Sequence, residues 1–497
     1  MNYTTHNIYR CIVTIKKASS SNNTNFILRL VCIWFLHFIK LVYTNIYFQY
    51  LFWLNLHIAL IKKNIVILGA GITGLSTAHY LSLKNKDFLV LEKSNRIGGN
   101  IFSEKKEDYI IENGPNTVLL SNDSIIKLIK EYGLWDNMCL PKESSESNRY
   151  VLLNDKLQLL PRNSLEFFTS PLLSLKSKLK LLKEPFIQKH KENTSVADFI
   201  KTRLGEGVLH QFIEPFVTGI YSGNINKMSA KHTLKTLWEA EQEYGSVIKG
   251  LIKKEKKAKS KIFNFPFGLS QLTNSIAKKL DAHIQLNCQI NHIEKDEVGY
   301  VIETTKNTIS CRNIISTLPA YSLAHYINDK ALKNCLEDIE YVPIDVFHFG
   351  FNKVDINNQS QGFGVLTKKS DKKHFLGILF NSRIFSHVSP KEKELFTVIV
   401  GGSRQKELCH LEPLKLKSLI LKEFMQLMEV NKNPIFSNHY RYSKGIPQYN
   451  LNHQTILDAI QNFEKNNPNF HILGNYFNGI SVSDGVLKAD NFIRTNF

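Results

Sequence analysis

The stretch KKNIVILGAGITGLSTAHY, residues 62–80, decides the fold of this chain. Its Asn64–Leu68 run is short and apolar, as in a buried parallel strand, and Ile72–Leu83 has the pattern of a helix. Three glycines stand where the strand turns into the helix: Gly69, Gly71 and Gly74. At this spacing the first permits a sharp turn, the second lets a pyrophosphate approach the backbone and the helix N-terminus, and the third allows close helix–strand packing.

A second apolar strand, DFLVLE, follows the helix and ends at Glu92. Glu92 lies 18 residues beyond Gly74, where a carboxylate can accept hydrogen bonds from the ribose hydroxyls of a dinucleotide. Strand, glycine turn, helix, strand and acid together form a complete βαβ unit. A βαβ unit that binds nothing is the alternative, but the ordered set favours a dinucleotide-binding domain.

The residues after Glu92 indicate which dinucleotide is bound. EKSNRIGGNIFS adds Arg96 and the pair Gly98-Gly99, and YIIENGPNTVLLSN contributes the run Gly114-Pro115-Asn116. A glutamate followed by an arginine and a double glycine resembles the amine-oxidase-type flavoprotein superfamily, which binds FAD. The resemblance implies that all these residues contact the cofactor, with the double glycine against its flavin end, where the backbone must come close.

The resemblance extends the cofactor site to later parts of the chain. It assigns Ile290 to that site, together with a helix start near the C-terminus formed by Ser483, Asp484 and Gly485. A helix N-terminus there would aim its backbone donors at an anionic group, which in the superfamily is the reduced isoalloxazine; an ordinary helix start is the alternative. The chain contains no second G-x-G-x-x-G on a strand and helix, so no separate nicotinamide site is predicted.

Composition indicates a globular protein of two or three domains. The 497 residues are 43% hydrophobic and 22% charged, which is ordinary for folded proteins. The seven cysteines are scattered and contain no C-x-x-C, which favours reduced thiols over disulfides or zinc. Histidines and acidic residues show no metal-binding spacing either, so no metal site is predicted.

The distribution of charge along the chain indicates which binding partners are expected. The net charge is +19, and lysines concentrate at residues 176–183 and 253–261. Such runs are usually solvated faces, but they can also touch anionic lipid or polyanionic ligands. They lack interleaved aromatic residues and a nucleic-acid fold signature, so no nucleic-acid partner is predicted.

The N-terminal extension, residues 1–61, differs from the rest of the chain. It contains no Asp or Glu, and Leu41–Ile61 is uncharged over 21 residues, long enough to span a membrane but interrupted by polar side chains. Three interpretations stay open: a membrane anchor, an organelle-targeting presequence, or an artefactual stretch upstream of the true start.

The remaining pattern predicts an α/β protein with a discontinuous Rossmann-like FAD-binding domain. Its parts are residues 62–143, 262–322 and 443–497. A helical membrane-facing subdomain that contributes to the substrate pocket is predicted at 144–250, and a mixed-sheet substrate domain at 323–442. The helical assignment rests on LQLLPRNSLEFFTSPLLSLKSKLKLLKEPF, whose apolar residues and lysines suit helices lying in a membrane interface, or equally a subdomain packed on the protein.

Three stretches narrow the superfamily: EPFVTGIYSGNINKMSAKHTLKTLWEAEQEYGSVIKGLI, GFGVLTKK with FLGILFNSRIF, and FTVIVGGSRQKEL. These stretches resemble the oxygen-dependent protoporphyrinogen oxidases. The resemblance runs from about residue 62 to the C-terminus. The resemblance implies FAD-dependent, six-electron oxidation of protoporphyrinogen IX to protoporphyrin IX in heme biosynthesis. Oxygen would be the acceptor and H₂O₂ the by-product, and the flavin would perform the chemistry.

The resemblance also implies a substrate site. Arg149 matches an arginine that binds a substrate propionate, for which a planar guanidinium is suited. Leu366 and Leu379 match leucines that sandwich a pyrrole ring, and Ile399 stands where many relatives carry a stacking phenylalanine. Gly219 is assigned to the same pocket. Asn116 would lie near flavin and substrate, although relatives differ there, so it is not assigned as a general base.

Two alternatives to this function stay open. Coproporphyrinogen III, with four propionates, would be oxidised to coproporphyrin III in a pocket with more than one basic partner. A non-catalytic, membrane-tethered flavoprotein is the other. The expected partners are a porphyrinogen, O₂, a membrane surface and, at the level of the family, a second copy in a homodimer. The expected location is peripheral, on the cytoplasmic side of an inner membrane or on an organelle membrane.

Overall fold

The computed structural model describes residues 60–142, 145, 147–253 and 261–497. Residues 62–305 and 309–497 form one compact unit. The N-terminal extension up to residue 59 and most of the second lysine run lie outside the described residues.

The strands, in chain order, are β1 (Leu60–Leu68), β2 (Phe88–Leu91), β3 (Ser103–Lys106), β4 (Tyr109–Glu112), β5 (Val118–Leu119), β6 (Tyr150–Leu153), β7 (Lys156–Leu159), β8 (Ile262–Phe263), β9 (Ile284–Gln285), β10 (Ile290–Lys295), β11 (Tyr300–Thr304), β12 (Thr308–Ser316), β13 (Tyr341–Asn352), β14 (Gly364–Leu366), β15 (Gly377–Leu379), β16 (Lys393–Gly401), β17 (Phe436–Pro447) and β18 (Phe470–Ile472).

The α-helices are α1 (Ile72–Leu83), α2 (Asp123–Glu131), α3 (Ser164–Thr169), α4 (Leu175–Lys183), α5 (Val196–Arg203), α6 (Glu206–Val208), α7 (Glu214–Tyr221), α8 (Ala230–Thr233), α9 (Lys235–Tyr244), α10 (Val247–Lys253), α11 (Ser270–Lys279), α12 (Ala320–Leu323), α13 (Lys330–Glu337), α14 (Asn381–Ile384), α15 (Pro413–Met428), α16 (His453–Asn466) and α17 (Val482–Asn496).

The first sheet contains the βαβ unit predicted from the glycine motif. Strands β1 and β2 pair in parallel from Ile65↔Phe88 to Leu68↔Leu91, and all eight of these residues are buried. Continuous apolar strands of this kind suit a sheet covered on both faces. Helix α1 has the predicted bounds, and α17 packs beside it.

Strands from three separate parts of the chain join in this sheet. Its order is β10-β11-β12-β1-β2-β9, with β18 also paired to β12. Strands β9–β12 and β18 thus join the strands of the glycine motif in one sheet, and the predicted α/β fold is confirmed.

The second sheet has the order β17-β13-β16-β15-β14-β6-β7. It is mixed, because β14 and β6 are parallel while the other pairs are antiparallel. One face packs on α15 through a core that includes Phe347, Val398 and Phe424. The other face is turned away from α15.

The second sheet crosses two of the predicted domain boundaries. Strands β6 and β7 fall in the segment predicted as helical, yet they extend the second sheet through a tight turn at Asn154-Asp155, both with positive φ. Strand β17 crosses the predicted boundary at 442/443, because its ladder with β13 continues to Pro447. Both differences arise from pairing with distant strands, which the local pattern does not reveal.

The segment between β7 and β8 is helical, as predicted, and has its own core. That core includes Phe199, Val217 and Trp238. Arg203 and Glu184 form a fully buried ion pair inside it. Across the described part of the chain, every helix is too short or too polar to cross a bilayer.

Candidate functional site

In the glycine turn, Gly69 and Gly74 are required by backbone conformation and close packing, whereas Gly71 faces open space. Gly69 has φ +98°, and a Cβ on Gly74 would lie 2.0 Å from the carbonyl oxygen of Gly69. A Cβ on Gly71, in contrast, would meet only the Cα of Gly99, at 3.9 Å. Gly71 is also the N-cap of α1, whose N-terminus is capped by no side chain of the described residues and has no acid in its first turn. Its backbone donors therefore suit an anionic group.

The double glycine folds against this turn. The Gly98 amide donates to the Ala70 carbonyl at 2.8 Å, and both Gly98 and Gly99 have positive φ. A Cβ on Gly98 would lie 2.8 Å from the Ile101 carbonyl oxygen. The turn at 69–74 and the Gly98-Gly99 pair together form what we call the glycine cradle.

Glu92 lies at the edge of the cradle. One of its carboxylate oxygens accepts from the Ala70 amide at 2.9 Å, and the other accepts from the amide and hydroxyl of Ser94 at 2.9 and 2.7 Å. The Cys288 amide donates to the Glu92 carbonyl at 2.9 Å. Ile290, the buried first residue of β10, follows Cys288 by two residues, and its contact with the cofactor stays a prediction.

Arg96 also borders the cradle. Its guanidinium carbon lies 4.3 Å from the centre of the Phe102 ring, and its Nη1 donates to the Ile97 carbonyl at 3.3 Å. These contacts hold the side chain along its own loop.

Helix α17 begins beside α1. A Cβ on Gly485 would lie 2.7 Å from Thr73 Oγ1 in the first turn of α1, so the two helix N-termini are neighbours. Ser481 and Asp484 form a capping box, and Ser483 Oγ donates to the Leu119 carbonyl. The side chains of Ser483 and Asp484 thus bind protein groups. A contact of either residue with the cofactor stays a prediction and would use the backbone N–H groups.

Gly114-Pro115-Asn116 connects the cradle region to the second sheet. A Cβ on Gly114 would lie 1.8 Å from the Asn100 carbonyl oxygen, which excludes any other residue there. Asn116 Oδ1 accepts from Asn381 Nδ2 at 2.8 Å and from Thr397 Oγ1 at 3.4 Å. The predicted cofactor loop therefore contacts the predicted substrate domain.

Glu112 just before this loop is a residue that sequence reasoning did not assign. Its buried carboxylate accepts from Ser103 Oγ, Asn264 Nδ2 and the Leu269 amide at 2.6, 3.1 and 2.7 Å. Burial raises the pKa of the Glu112 carboxyl to about 7, against the opposing effect of these hydrogen bonds. An acid at the end of an otherwise buried strand is the sequence signal that could have identified it.

Three predicted substrate residues share one face of the second sheet. Residues opposite each other in an antiparallel ladder point to the same face. Leu366, Gly377 and Ile399 therefore form one row, and Gly364, Leu379 and Thr397 form the next. We call these two rows the pocket face. Leu366, Leu379 and Ile399 are each half-buried there, whereas the opposite face is packed on α15.

Gly219 and Arg149 lie at the edge of the pocket face. A Cβ on Gly219 would be 3.0 Å from Leu366 Cδ2, so helix α7 lies against that leucine. Arg149 precedes the Tyr150↔Val365 pair by one residue, and its guanidinium carbon lies 5.0 Å from the centre of the Phe363 ring. All the predicted substrate residues are thus gathered at β6, β14–β16 and α7.

Two apolar residues near the pocket face were not predicted. Phe216 and Ile220 flank Gly219 on α7 and are 47% and 41% exposed. Their signal in the sequence is an apolar pair one helical turn apart. A single exposed apolar residue needs no explanation, but this pair lies beside Gly219, which contacts Leu366.

The sequence is similar to a known protein family and to named proteins. The model of the flavin-containing amine oxidoreductase family matches residues 72–490. Protoporphyrinogen oxidase 2, chloroplastic/mitochondrial, of Arabidopsis thaliana is 29% identical, with 86% of this chain and 92% of the relative covered. Coproporphyrinogen III oxidase of Bacillus subtilis is 25% identical, with 86% and 96% covered.

Solved structures show the same fold. A crystal structure from Exiguobacterium sp. 255-15, provisionally named protoporphyrinogen oxidase, has a TM-score of 0.76 at 21% identity, covering 88% of this chain and 99% of that one. Wild-type putrescine oxidase bound to putrescine has a TM-score of 0.66 at 14% identity, with 88% and 99% covered.

The cradle also fits the cofactor of the family. Open space at Gly71, an uncapped helix N-terminus and the adjacent Glu92 supply what the pyrophosphate and ribose of FAD need. The predicted resemblance to protoporphyrinogen oxidases and the predicted FAD-dependent oxidoreductase class are confirmed. Because the family model matches most of its length, this chain belongs to the flavin-containing amine oxidoreductase family.

Proposed function

We propose that this protein oxidises protoporphyrinogen IX to protoporphyrin IX with FAD as cofactor. The observation that carries the proposal is the contact of Asn116 with Thr397, which joins the cofactor loop to the pocket face at 3.4 Å. An apolar sheet face beside a flavin site suits a bulky, mostly apolar tetrapyrrole. The named relatives from Arabidopsis thaliana and Nicotiana tabacum support the same substrate.

The residues present divide the work between holding the cofactor and holding the substrate. Backbone donors of the glycine cradle bind the pyrophosphate, and Glu92 accepts from the ribose. The pocket face excludes water and orients the tetrapyrrole, while Arg149 binds a propionate. Bound FAD accepts two electrons at a time, so the six-electron conversion takes three rounds, with O₂ as the proposed final acceptor and H₂O₂ as the by-product.

Coproporphyrinogen III is a second candidate substrate, favoured by the relatives of that name from Bacillus subtilis and Staphylococcus aureus. Its four propionates need further basic partners. Two cations close to the pocket-face strands in sequence, Arg404 and Lys368, are already engaged: Arg404 donates to the carbonyl and hydroxyl of Thr367, and Lys368 Nζ donates to the Leu152 carbonyl at 2.6 Å. This engagement favours the substrate with two propionates.

One assay in air tests the function. Purified protein, with its FAD content measured after denaturation, receives protoporphyrinogen IX or coproporphyrinogen III, and porphyrin fluorescence and H₂O₂ are followed. We expect both signals above the enzyme-free control, with the first substrate faster. Bound FAD with rates equal to autoxidation for both substrates would overturn the proposal and support a non-catalytic flavoprotein.

We further propose that helix α4 and the turn after it contact a membrane surface. Leu175, Leu182 and Phe186 are exposed there by 73%, 65% and 86%. The exposed Lys176 and Lys183 lie among them. Apolar side chains rimmed by lysines suit the interface of an anionic bilayer.

Vesicle flotation tests the membrane contact. The double variant Leu175→Ser/Leu182→Ser should bind phosphatidylserine-containing vesicles at least about tenfold more weakly, because it removes two apolar anchors. Leu414→Ser, which changes a leucine that is 69% exposed on α15, is the matched control and should bind as the unmodified protein does. Equal binding by the double variant would remove α4 from the contact. A homodimer and a position on a bacterial inner membrane or an organelle membrane stay proposals of the same kind.

A further inference from the structure

A short amide chain fixes the orientation of Asn381 beside the cofactor loop. Asn116 Nδ2 donates to the Gly114 carbonyl at 3.2 Å, so Asn116 Oδ1 faces the other way. That oxygen accepts from Asn381 Nδ2 at 2.8 Å and from Thr397 Oγ1 at 3.4 Å. Because an amide oxygen can only accept, Asn381 must present its amide nitrogen to Asn116 Oδ1.

The other end of the Asn381 amide is an acceptor without a donor. Asn381 Oδ1 is buried and accepts no hydrogen bond from any residue that the structure describes. The residue as a whole is 7% exposed. Leaving a buried carbonyl oxygen unpaired costs free energy that a partner would recover, so such an atom in a site indicates a missing donor.

The position of Asn381 limits which donor that can be. Asn381 follows Leu379 of the pocket face by two residues, and its amide contacts the loop residue Asn116. Thr397, which donates to the same Asn116 oxygen, is opposite Leu379 in the ladder. The side chain that carries the unpaired oxygen therefore lies at the junction between the cofactor loop and the pocket face.

We infer that Asn381 Oδ1 accepts a hydrogen bond from a pyrrole N–H of the porphyrinogen, an inference that rests on the proposed function. Every pyrrole ring of a porphyrinogen carries an N–H and is a donor. In the porphyrin product two of the four ring nitrogens have lost that hydrogen and are acceptors. An acceptor at this position binds the reduced substrate and repels an unprotonated nitrogen of the product, so Asn381 selects substrate over product.

The test compares two constants in the FAD-loaded enzyme: the KM for protoporphyrinogen IX and the inhibition constant of protoporphyrin IX. Asn381→Leu, which keeps the side-chain volume and removes both the acceptor and the donor to Asn116, should raise KM about three- to tenfold. The inhibition constant of the porphyrin should stay within about twofold, because the product gains little from this acceptor. Thr397→Val, which removes a donor to Asn116 but leaves Asn381 Oδ1 in place, should not separate the two constants.

Parallel changes of the two constants in Asn381→Leu, or no change in either, would overturn the inference. Asn381→Ala, which also removes the acceptor, is the second variant should the leucine not fold, and FAD content and melting temperature report its integrity. If the unmodified protein oxidises no porphyrinogen, the proposed function fails and the inference fails with it. If the unmodified protein turns over the substrate but KM and the inhibition constant change together in the Asn381 variants, the inference alone is rejected.

Discussion

The glycine cradle joins residues that are close along the chain, between Gly69 and Gly99, whereas the pocket face joins strands from distant parts of it. In the cradle, single atoms decide which residue is allowed: a Cβ on Gly74 would meet a carbonyl oxygen. On the pocket face, Leu366 and Leu379 are ordinary apolar residues whose position comes from strand register. We therefore expect substitutions in the cradle to act on folding or cofactor binding, and substitutions around the pocket face to act on substrate.

The largest effect is expected within the cradle, at Gly74. Gly74→Ala places a Cβ 2.0 Å from the Gly69 carbonyl oxygen, so helix α1 and the turn must separate. The free energy of unfolding should fall by about 4 kcal/mol or more, enough to leave little folded protein. Denaturant unfolding followed by circular dichroism measures this, and Gly71→Ala, which meets only open space, is the matched control. A stable, fully folded Gly74→Ala protein would show that the turn is not sterically fixed.

Gly71→Val separates cofactor binding from folding in the same turn. Gly71 has φ −72°, which any residue adopts, and the space around its Cβ position is open within the protein. The apoprotein should melt within a few degrees of the unmodified apoprotein, but the valine fills the space needed by the pyrophosphate. Flavin released per protein should fall by about tenfold or more. Purified Gly71→Val that stays yellow at full stoichiometry would contradict the placement of the cofactor.

Glu112 sharpens the comparison, because its backbone carbonyl lies 3.1 Å from His348 Nε2 on β13 of the second sheet. Its pKa is raised to about 7 by burial, so the folded protein holds this proton more tightly than the unfolded chain. Stability from this group is greatest below the unfolded pKa of 4.5 and falls as pH rises toward about 7. The loss between these values should be about 3 kcal/mol, and Glu112→Gln should abolish it.

Unfolding free energies of both proteins from pH 4.5 to 8 measure this dependence. Above pH 7 the contribution of Glu112 should be constant. The glutamine should be tolerated, since the Ser103 hydroxyl that donates to Glu112 can turn and accept instead. Parallel pH profiles for Glu112→Gln and the unmodified protein would show that Glu112 titrates as an exposed glutamate does.

The same contrast explains what the sequence could reveal. The cradle was predictable because turn, helix start and acid follow one another along the chain, and α1 has the predicted bounds. The pocket face was assigned only through a family resemblance, since apolar alternation does not say which strands become neighbours. Strands β6 and β7 illustrate this: their residues read as part of a helical segment, yet they pair into the second sheet.

Asn381 and Glu112 mark a further limit. An asparagine or glutamate carries no periodic signal, and its role depends on which distant atoms fold against it. Asn381 bonds to Asn116, 265 positions away, and Glu112 accepts from Leu269, 157 positions away. Polar residues that join distant segments are therefore found in the structure and not in the local pattern.

The smallest of these effects is expected at Arg149, where the comparison predicts a loss confined to substrate. Arg149→Ala removes a charged partner of a propionate and should raise KM by about tenfold. FAD content and the melting temperature should not change, because Arg149 lies at the edge of β6, outside the cradle. Arg149→Lys keeps the charge without the bidentate geometry, so its KM should lie between those of Arg149→Ala and the unmodified protein. A loss of FAD in Arg149→Ala would show that the two regions are coupled, and an unchanged KM would place the propionate elsewhere.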